Sequence, residues 1–233
     1  MELSYDGSKF YGFQRQNNLR SVQKDIEDLL TNYFGVDIKI KGAGRTDRGV
    51  HANGQRAHFD IDKKVKPSEL KKYINNNISD LRVKNIKLVS DNIHSRFSVK
   101  MKHYSYKITF NKKEYDSNYA YYQKSLDIKL MKSASKEFLG VHNFQNFVSG
   151  TRDNYECIIY RIKFKKIFNT LTIHFYWKSF YRYMVRNMVG ALIDVGKHKS
   201  NAERITELLN SPKTDKMLST APAKGLTLEK IYY

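Results

Sequence analysis

Three long stretches of strand character, residues 96–110, 155–167 and 170–177, constrain the fold of this chain more than anything else in it. In "RFSVKMKHYSYKITF" (96–110) successive side chains must point to opposite faces of a sheet. The alternation puts Arg96, Ser98, Lys100, Lys102, Tyr104 and Tyr106 on one face and Phe97, Val99, Met101 and His103 on the other. Shorter strands are expected at 2–5, 36–40, 55–61 and 82–90, and the closing "LTLEKIYY" reads as another. Helical periodicity interrupts them. Residues 21–34 carry Val22, Ile26, Leu29, Leu30 and Tyr33 on one face, with Ser21 placed to cap. Pro67 opens a helix that reaches about Asn76, with Leu70 and Ile74 one turn apart. Further helices are expected at about 128–139, 180–195 and 201–209, the last capped by Asn201. This order reads as two α+β halves, 1–100 and 101–233. The fold class expected is α+β, a mixed, mainly antiparallel sheet flanked by helices.

Composition narrows the partner. Lys and Arg number 42 against 23 Asp and Glu, a net charge of +19, which suits a polyanion: nucleic acid or an anionic membrane surface. The competing explanation is a compositional bias toward Lys and Asn, visible in "KKVKPSELKKYINNN". Cys157 is the sole cysteine, so neither an intrachain disulfide nor a cysteine zinc cluster is possible. No signal peptide and no apolar run of membrane-spanning length occurs, so the expectation is a soluble, cytoplasmic protein.

The stretch "GAGRTDRGVHANGQ" (42–55) places one acid, Asp47, between Arg45 and Arg48 on a backbone that four glycines make bendable. It lacks the G-x-x-x-x-G-K-[ST] of a phosphate loop, and Asp47 stands where a dinucleotide fingerprint needs its third glycine. His51 and His58 lack the helical spacing of metal ligands. The plain alternative is a tight turn with Asp47 as turn-former. Against it, the loop is longer than a turn needs, and Gly42, Gly44 and Gly49 allow close approach of a ligand. Flanking cations favour the ionised carboxylate, which can act as a nucleophile.

Two more constellations stand out. In "SFYRYMVRNMVGAL" (179–192), Arg182 and Arg186 are four apart and would share a face of a helix that is apolar nearly all round. A buried guanidinium needs a partner, so at least one of them is expected to reach a carboxylate, Asp47 being a candidate, or a phosphate. The alternative is a structural salt bridge, or arginines snorkelling at a rim. On strand 96–110 the face of cations and tyrosine rings is compatible with RNA, since cations hold phosphates and rings stack on bases. The alternative there is a solvated sheet edge.

Taken together, "YDGSKFYGFQRQ", "RSVQKDIEDLL", "GAGRTDRGVHANGQ", "HSRFSVKMKHYSY", "FYRYMVRNMVGALIDVGKH" and "AKGLTLEKIYY" resemble, in order and across essentially the whole chain, the TruA family of tRNA pseudouridine synthases. The resemblance implies isomerisation of uridine to pseudouridine in the anticodon stem-loop of tRNA, at positions 38 to 40, with no metal and no organic cofactor. It implies a homodimer with tRNA lying across both subunits, and an active site in a basic cleft between two related halves. Asp47 matches the family's catalytic aspartate, Tyr104 its active-site tyrosine, and Arg186 the arginine that pairs with the aspartate. Arg45 and Arg182 are candidate substrate-binding residues. The chain departs from the family pattern at Phe13, where many members have Trp, and at Gly42, where many have Cys. A non-catalytic RNA-binding protein on the same fold is the alternative reading.

Overall fold

The computed structural model describes residues 1–178, 180–211 and 219–233. In chain order the elements are β1 (Glu2–Tyr5), α1 (Val22–Phe34), β2 (Lys41–Gly42), β3 (His51–His58), α2 (Pro67–Asn76), β4 (Leu81–Asn85), β5 (Met101–Thr109), β6 (Tyr121–Tyr122), α3 (Ile128–Ala134), β7 (Gly140–Asn143), β8 (Glu156–Ile167), β9 (Thr170–Trp177), α4 (Met184–Gly196), α5 (Ala202–Asn210) and β10 (Leu226–Tyr232). The chain forms two compact units. One comprises Met1–Lys100 with Thr227–Tyr233, the other Met101–Leu226. Both are α+β, and the pairing is mainly antiparallel.

In the first unit the strand order is β4-β1-β3-β10, with β2 on β3. β1 runs antiparallel to both β3 and β4, while β10 lies parallel to β3 through Thr227↔His51 and Leu228↔Ala52. Ser21 caps α1 by accepting from the Lys24 N–H, and Gly35 ends it in a left-handed conformation. The core is Leu3, Val22, Ile26, Leu30, Leu70, Ile74 and Val83, all inaccessible to solvent. This is the apolar face that the periodicity of 21–34 and 67–76 exposes in the sequence.

In the second unit β5, β9, β8 and β7 form an antiparallel run, and β6 adds to β5 in parallel. β8 and β9 are the long strands expected at 155–167 and 170–177. α4 is buried at most of its positions, as its composition implies. Phe138, Phe144, Phe147, Phe175 and Trp177 supply an aromatic core, with Phe138 edge-on to Phe147 at 5.2 Å.

Several expected elements shift. Residues 36–40 are not a strand: the Ile38 N–H donates to Thr31 Oγ1 (3.1 Å) and the Ile40 N–H to Glu27 Oε1 (3.0 Å). Side chains of α1 satisfy that backbone, so no sheet partner is needed. Glu27 is buried for this purpose and also accepts from Arg15 and Gln23. β3 begins at residue 51, four earlier than expected, because β10 pairs with its first residues. The strand expected at 82–90 stops at Asn85, and β5 starts only at Met101, since 94–98 is a hydrogen-bonded turn. α4 starts at Met184 rather than at 180.

Candidate active site

The glycine-rich stretch is a pinned loop. Its residues 43 to 50 leave β2 and return to β3, and several of its backbone groups are hydrogen-bonded. The Ala43 N–H donates to Arg56 O (2.7 Å), and Gln55 Nε2 donates to Gly44 O (2.9 Å). Thr46 is buried, and its hydroxyl shares a 2.9 Å hydrogen bond with the Tyr5 hydroxyl. Burial pushes the Tyr5 phenol up to about 12, so it stays protonated in that bond. The Thr46 carbonyl accepts from the Phe13 N–H at 3.1 Å. That approach needs Gly12, whose φ is +100° and whose position leaves a Cβ only 2.9 Å from Thr46 O. Asp47 opens a tight turn closed by the Val50 N–H on Asp47 O (3.1 Å), with Gly49 supplying a φ of +79°. The residue thus opens a turn, and it is half-buried while Arg45 and Arg48 on either side are exposed. The Arg48 guanidinium lies 4.3 Å over the Tyr11 ring. His51, following the loop, is buried and its Nδ1 accepts from the Gly7 N–H at 3.0 Å.

In the second unit Tyr104 sits in the middle of β5, opposite Phe175 of β9. The residue is only 6% exposed, and its ring meets Phe180 edge-on at 4.8 Å. Lys102 and Tyr106, on the same face, are buried as well. Over residues 102–106 this overturns the expectation of an open face of cations and stacking rings, while Arg96 and Lys100, ahead of β5, are exposed. Burial raises the Tyr106 phenol far above its ordinary range, and its hydroxyl donates to Pro222 O at 2.8 Å, which makes it a core residue. Tyr104 offers a ring edge in a packed wall rather than a free platform.

Arg182 and Arg186 do not share a helix face. Tyr183 takes a left-handed conformation, φ +61°, and α4 begins after it, leaving Arg182 outside the helix and exposed. The two guanidiniums instead meet at one ring: Arg182 lies 5.2 Å and Arg186 4.7 Å from the Tyr183 centroid. Arg186 is half-buried and tied to Ala221 twice. Its Nε donates to Ala221 O (2.8 Å), and its own carbonyl accepts from the Ala221 N–H (3.1 Å). Gly190, one turn on, lets the Ser219 carbonyl approach the helix where a Cβ would collide with it. Among the described residues no group of three or more His, Cys, Asp and Glu could hold a metal ion, and no helix is long and apolar enough to cross a membrane.

Residues 3–98 and 134–233 match the family model described as tRNA pseudouridine synthase. Curated relatives align end to end. The tRNA pseudouridine synthase A of Thermodesulfovibrio yellowstonii is 36% identical over 249 residues, covering 100% of this chain and 98% of that protein. That of Dictyoglomus thermophilum is 38% identical over 241 residues, and that of Thermosipho africanus 37% over 239, each with the same coverage. This chain belongs to the tRNA pseudouridine synthase A family. Its reaction class is therefore isomerisation of uridine in tRNA, which sets aside the non-catalytic alternative. Among solved structures, a Cbf5-Nop10-Gar1 complex aligns with a TM-score of 0.38 at 9% identity, over 84% of this chain and 54% of that one, too loose a likeness to carry any argument.

Asp47, Arg45, Arg182 and Arg186 fall inside the stretches matched by the synthase family, whereas Tyr104 lies between them. The two departures from the family pattern touch each other: the Phe13 ring fills the space that a Cβ at Gly42 would need. Sequence reasoning missed the supports of this synthase's loop. Tyr5, Gly12 and Gln55 are the ones it needs, and Gln55 was recoverable only with the register Leu3↔Gln55 between β1 and β3. It also missed Asn187, whose side chain accepts from Thr220 Oγ1 (2.7 Å) and donates to Phe147 O (2.8 Å), fixing the first turn of α4.

Proposed function

We propose that this synthase modifies uridines 38 to 40 of the tRNA anticodon stem-loop, with Asp47 as the nucleophile. In the reaction the N1–C1′ bond breaks, uracil turns, the C5–C1′ bond forms, and a proton passes from C5 to N1, so no atoms are gained or lost. The uridine must first leave the stack, at a cost of a few kcal/mol that contacts in the site return. Asp47 attacks the extruded nucleotide. Arg186 supplies the cation that keeps that carboxylate charged, and Tyr104 forms one wall for the base. Arg45 and Arg182, both exposed, hold phosphates of the RNA backbone. The chemistry asks for no metal or organic cofactor. The working form is a homodimer that carries one tRNA across both subunits, and it acts in the cytoplasm.

The observation that carries this reading is the mounting of Asp47. Its loop is fixed from Thr46, Gly44 and Val50, and the residue itself is half-buried between two exposed arginines. Such rigidity is what positioning a nucleophile requires, and a mere connection does not need it. The test is carbodiimide mapping of pseudouridine in an unmodified tRNA transcript, with a chelator present. The expected product lies at positions 38 to 40 and vanishes with Asp47→Asn. Product elsewhere, or undiminished product from the variant, would overturn the assignment.

A further inference from the structure

The segment 86–100, between β4 and β5, exposes Leu88, Val89, Ile93 and Phe97. Phe97 lies in a closely hydrogen-bonded turn. His94 Nδ1 accepts both the Arg96 N–H (3.1 Å) and the Phe97 N–H (3.3 Å). The His94 N–H donates to Ser98 Oγ (3.1 Å), and the Ser98 N–H returns to His94 O (3.0 Å). Ser95, inside the turn, donates its N–H to His58 Nδ1 (3.2 Å), and its carbonyl accepts from the Tyr233 hydroxyl (2.8 Å). Two N–H donors on Nδ1 place the His94 proton on Nε2. The His94 ring lies 4.3 Å from the Phe97 ring at 30°, a tilted stack, and meets His58 edge-on at 4.7 Å. The Arg96 guanidinium is 5.8 Å from the Phe97 centroid. Despite all this Phe97 remains 76% exposed. A turn this well tied could have turned the ring inward, and it presents it to solvent.

We propose that Phe97, backed by His94 and flanked by Arg96, is a stacking platform for an unpaired base of the tRNA substrate. The inference rests on the tRNA reading of the previous subsection and adds a recognition element to it. A preformed ring costs little to order on binding, and base–aromatic stacking accepts any base. Charge favours RNA over an apolar protein partner. The segment carries Lys87, Arg96 and Lys100 against Asp91, on a chain of net charge +19. The ring belongs to binding and not to the chemical step.

The test measures tRNA affinity as a function of salt for the full chain, alongside turnover at saturating tRNA. Phe97→Ala should weaken binding about tenfold with the slope of affinity against salt unchanged, because stacking releases no counterions. Phe97→Tyr and Phe97→Trp should restore it, and kcat should stay within about twofold throughout. Arg96→Ala should instead flatten the salt slope by about 0.7. Unchanged affinity of Phe97→Ala overturns the proposal, and so does a loss that the aromatic variants fail to rescue. A change in oligomeric state at constant tRNA affinity overturns it too, by making this ring a protein contact. If the wild-type chain forms no pseudouridine in tRNA, the underlying reading fails. If it does and only Phe97→Ala behaves as wild type, the platform alone fails.

Discussion

The loop around Asp47 and the segment leading into α4 both display charged side chains on irregular backbone, and they bend it by different means. In the loop, glycines take the positive φ: Gly12 at +100° and Gly49 at +79°. Before α4 the same task falls to Tyr183 at +61°, a conformation that costs a non-glycine residue roughly 1–3 kcal/mol. The glycine bends need no ring, and the loop draws its stiffness from Thr46, Tyr5 and Gln55 instead. The tyrosine bend keeps its ring, on which both Arg182 and Arg186 rest. A residue that stays strained while two cations use its side chain suggests that the side chain is needed there.

The largest effect that would break this comparison lies at Asp47. Asp47→Asn should reduce turnover by on the order of 10⁴-fold or more, measured under single-turnover conditions. Next comes Arg186→Lys, expected to lower kcat by about 10²-fold, since an ammonium cannot make a planar two-pronged contact and also loses the Nε bond to Ala221. The bends themselves come third. Gly12→Ala should lower stability by about 1–2 kcal/mol in denaturant titration and reduce kcat, because Thr46 must move. Tyr183→Asn should do the reverse for stability, leaving it unchanged or raised by up to about 1 kcal/mol, since Asn tolerates the left-handed region, while tRNA affinity drops. If both bends respond alike, the distinction between them is wrong. The smallest effect is at Tyr106→Phe: a loss of about 1 kcal/mol in stability from the orphaned Pro222 carbonyl, with tRNA affinity unaltered.

The same contrast explains what could be read from the chain beforehand. The bend at Gly49 announces itself because glycine is the residue that such a φ selects. The bend at Tyr183 does not, so the apolar pattern of 180–195 extends the helix too far and makes Arg182 and Arg186 look like neighbours on one face. The helices at 21–34 and 67–76 are legible because their period agrees with a local start signal, the Ser21 cap and Pro67 in the first turn, and the long strands at 155–167 and 170–177 are legible from their own strand pattern. β3 is placed late because its first residues are held by β10, from the far end of the chain. "VDIKI" alternates like a strand and is none, since Thr31 and Glu27 take the N–H groups of Ile38 and Ile40. On β5 the alternation correctly sorts Lys102, Tyr104 and Tyr106 onto one face. It cannot say which face is buried, and the aromatic side turns out to be the inner one.

The central claim is that the pinned loop exists to carry one carboxylate to the substrate. It is tested most directly by measuring Asp47→Asn twice on the same unmodified tRNA: its affinity and its yield of pseudouridine. The account predicts affinity within about threefold of wild type and no detectable product, because the exchange removes a charge and leaves the backbone of the loop in place. Pseudouridine formed by the variant at a rate near that of the wild type would contradict it.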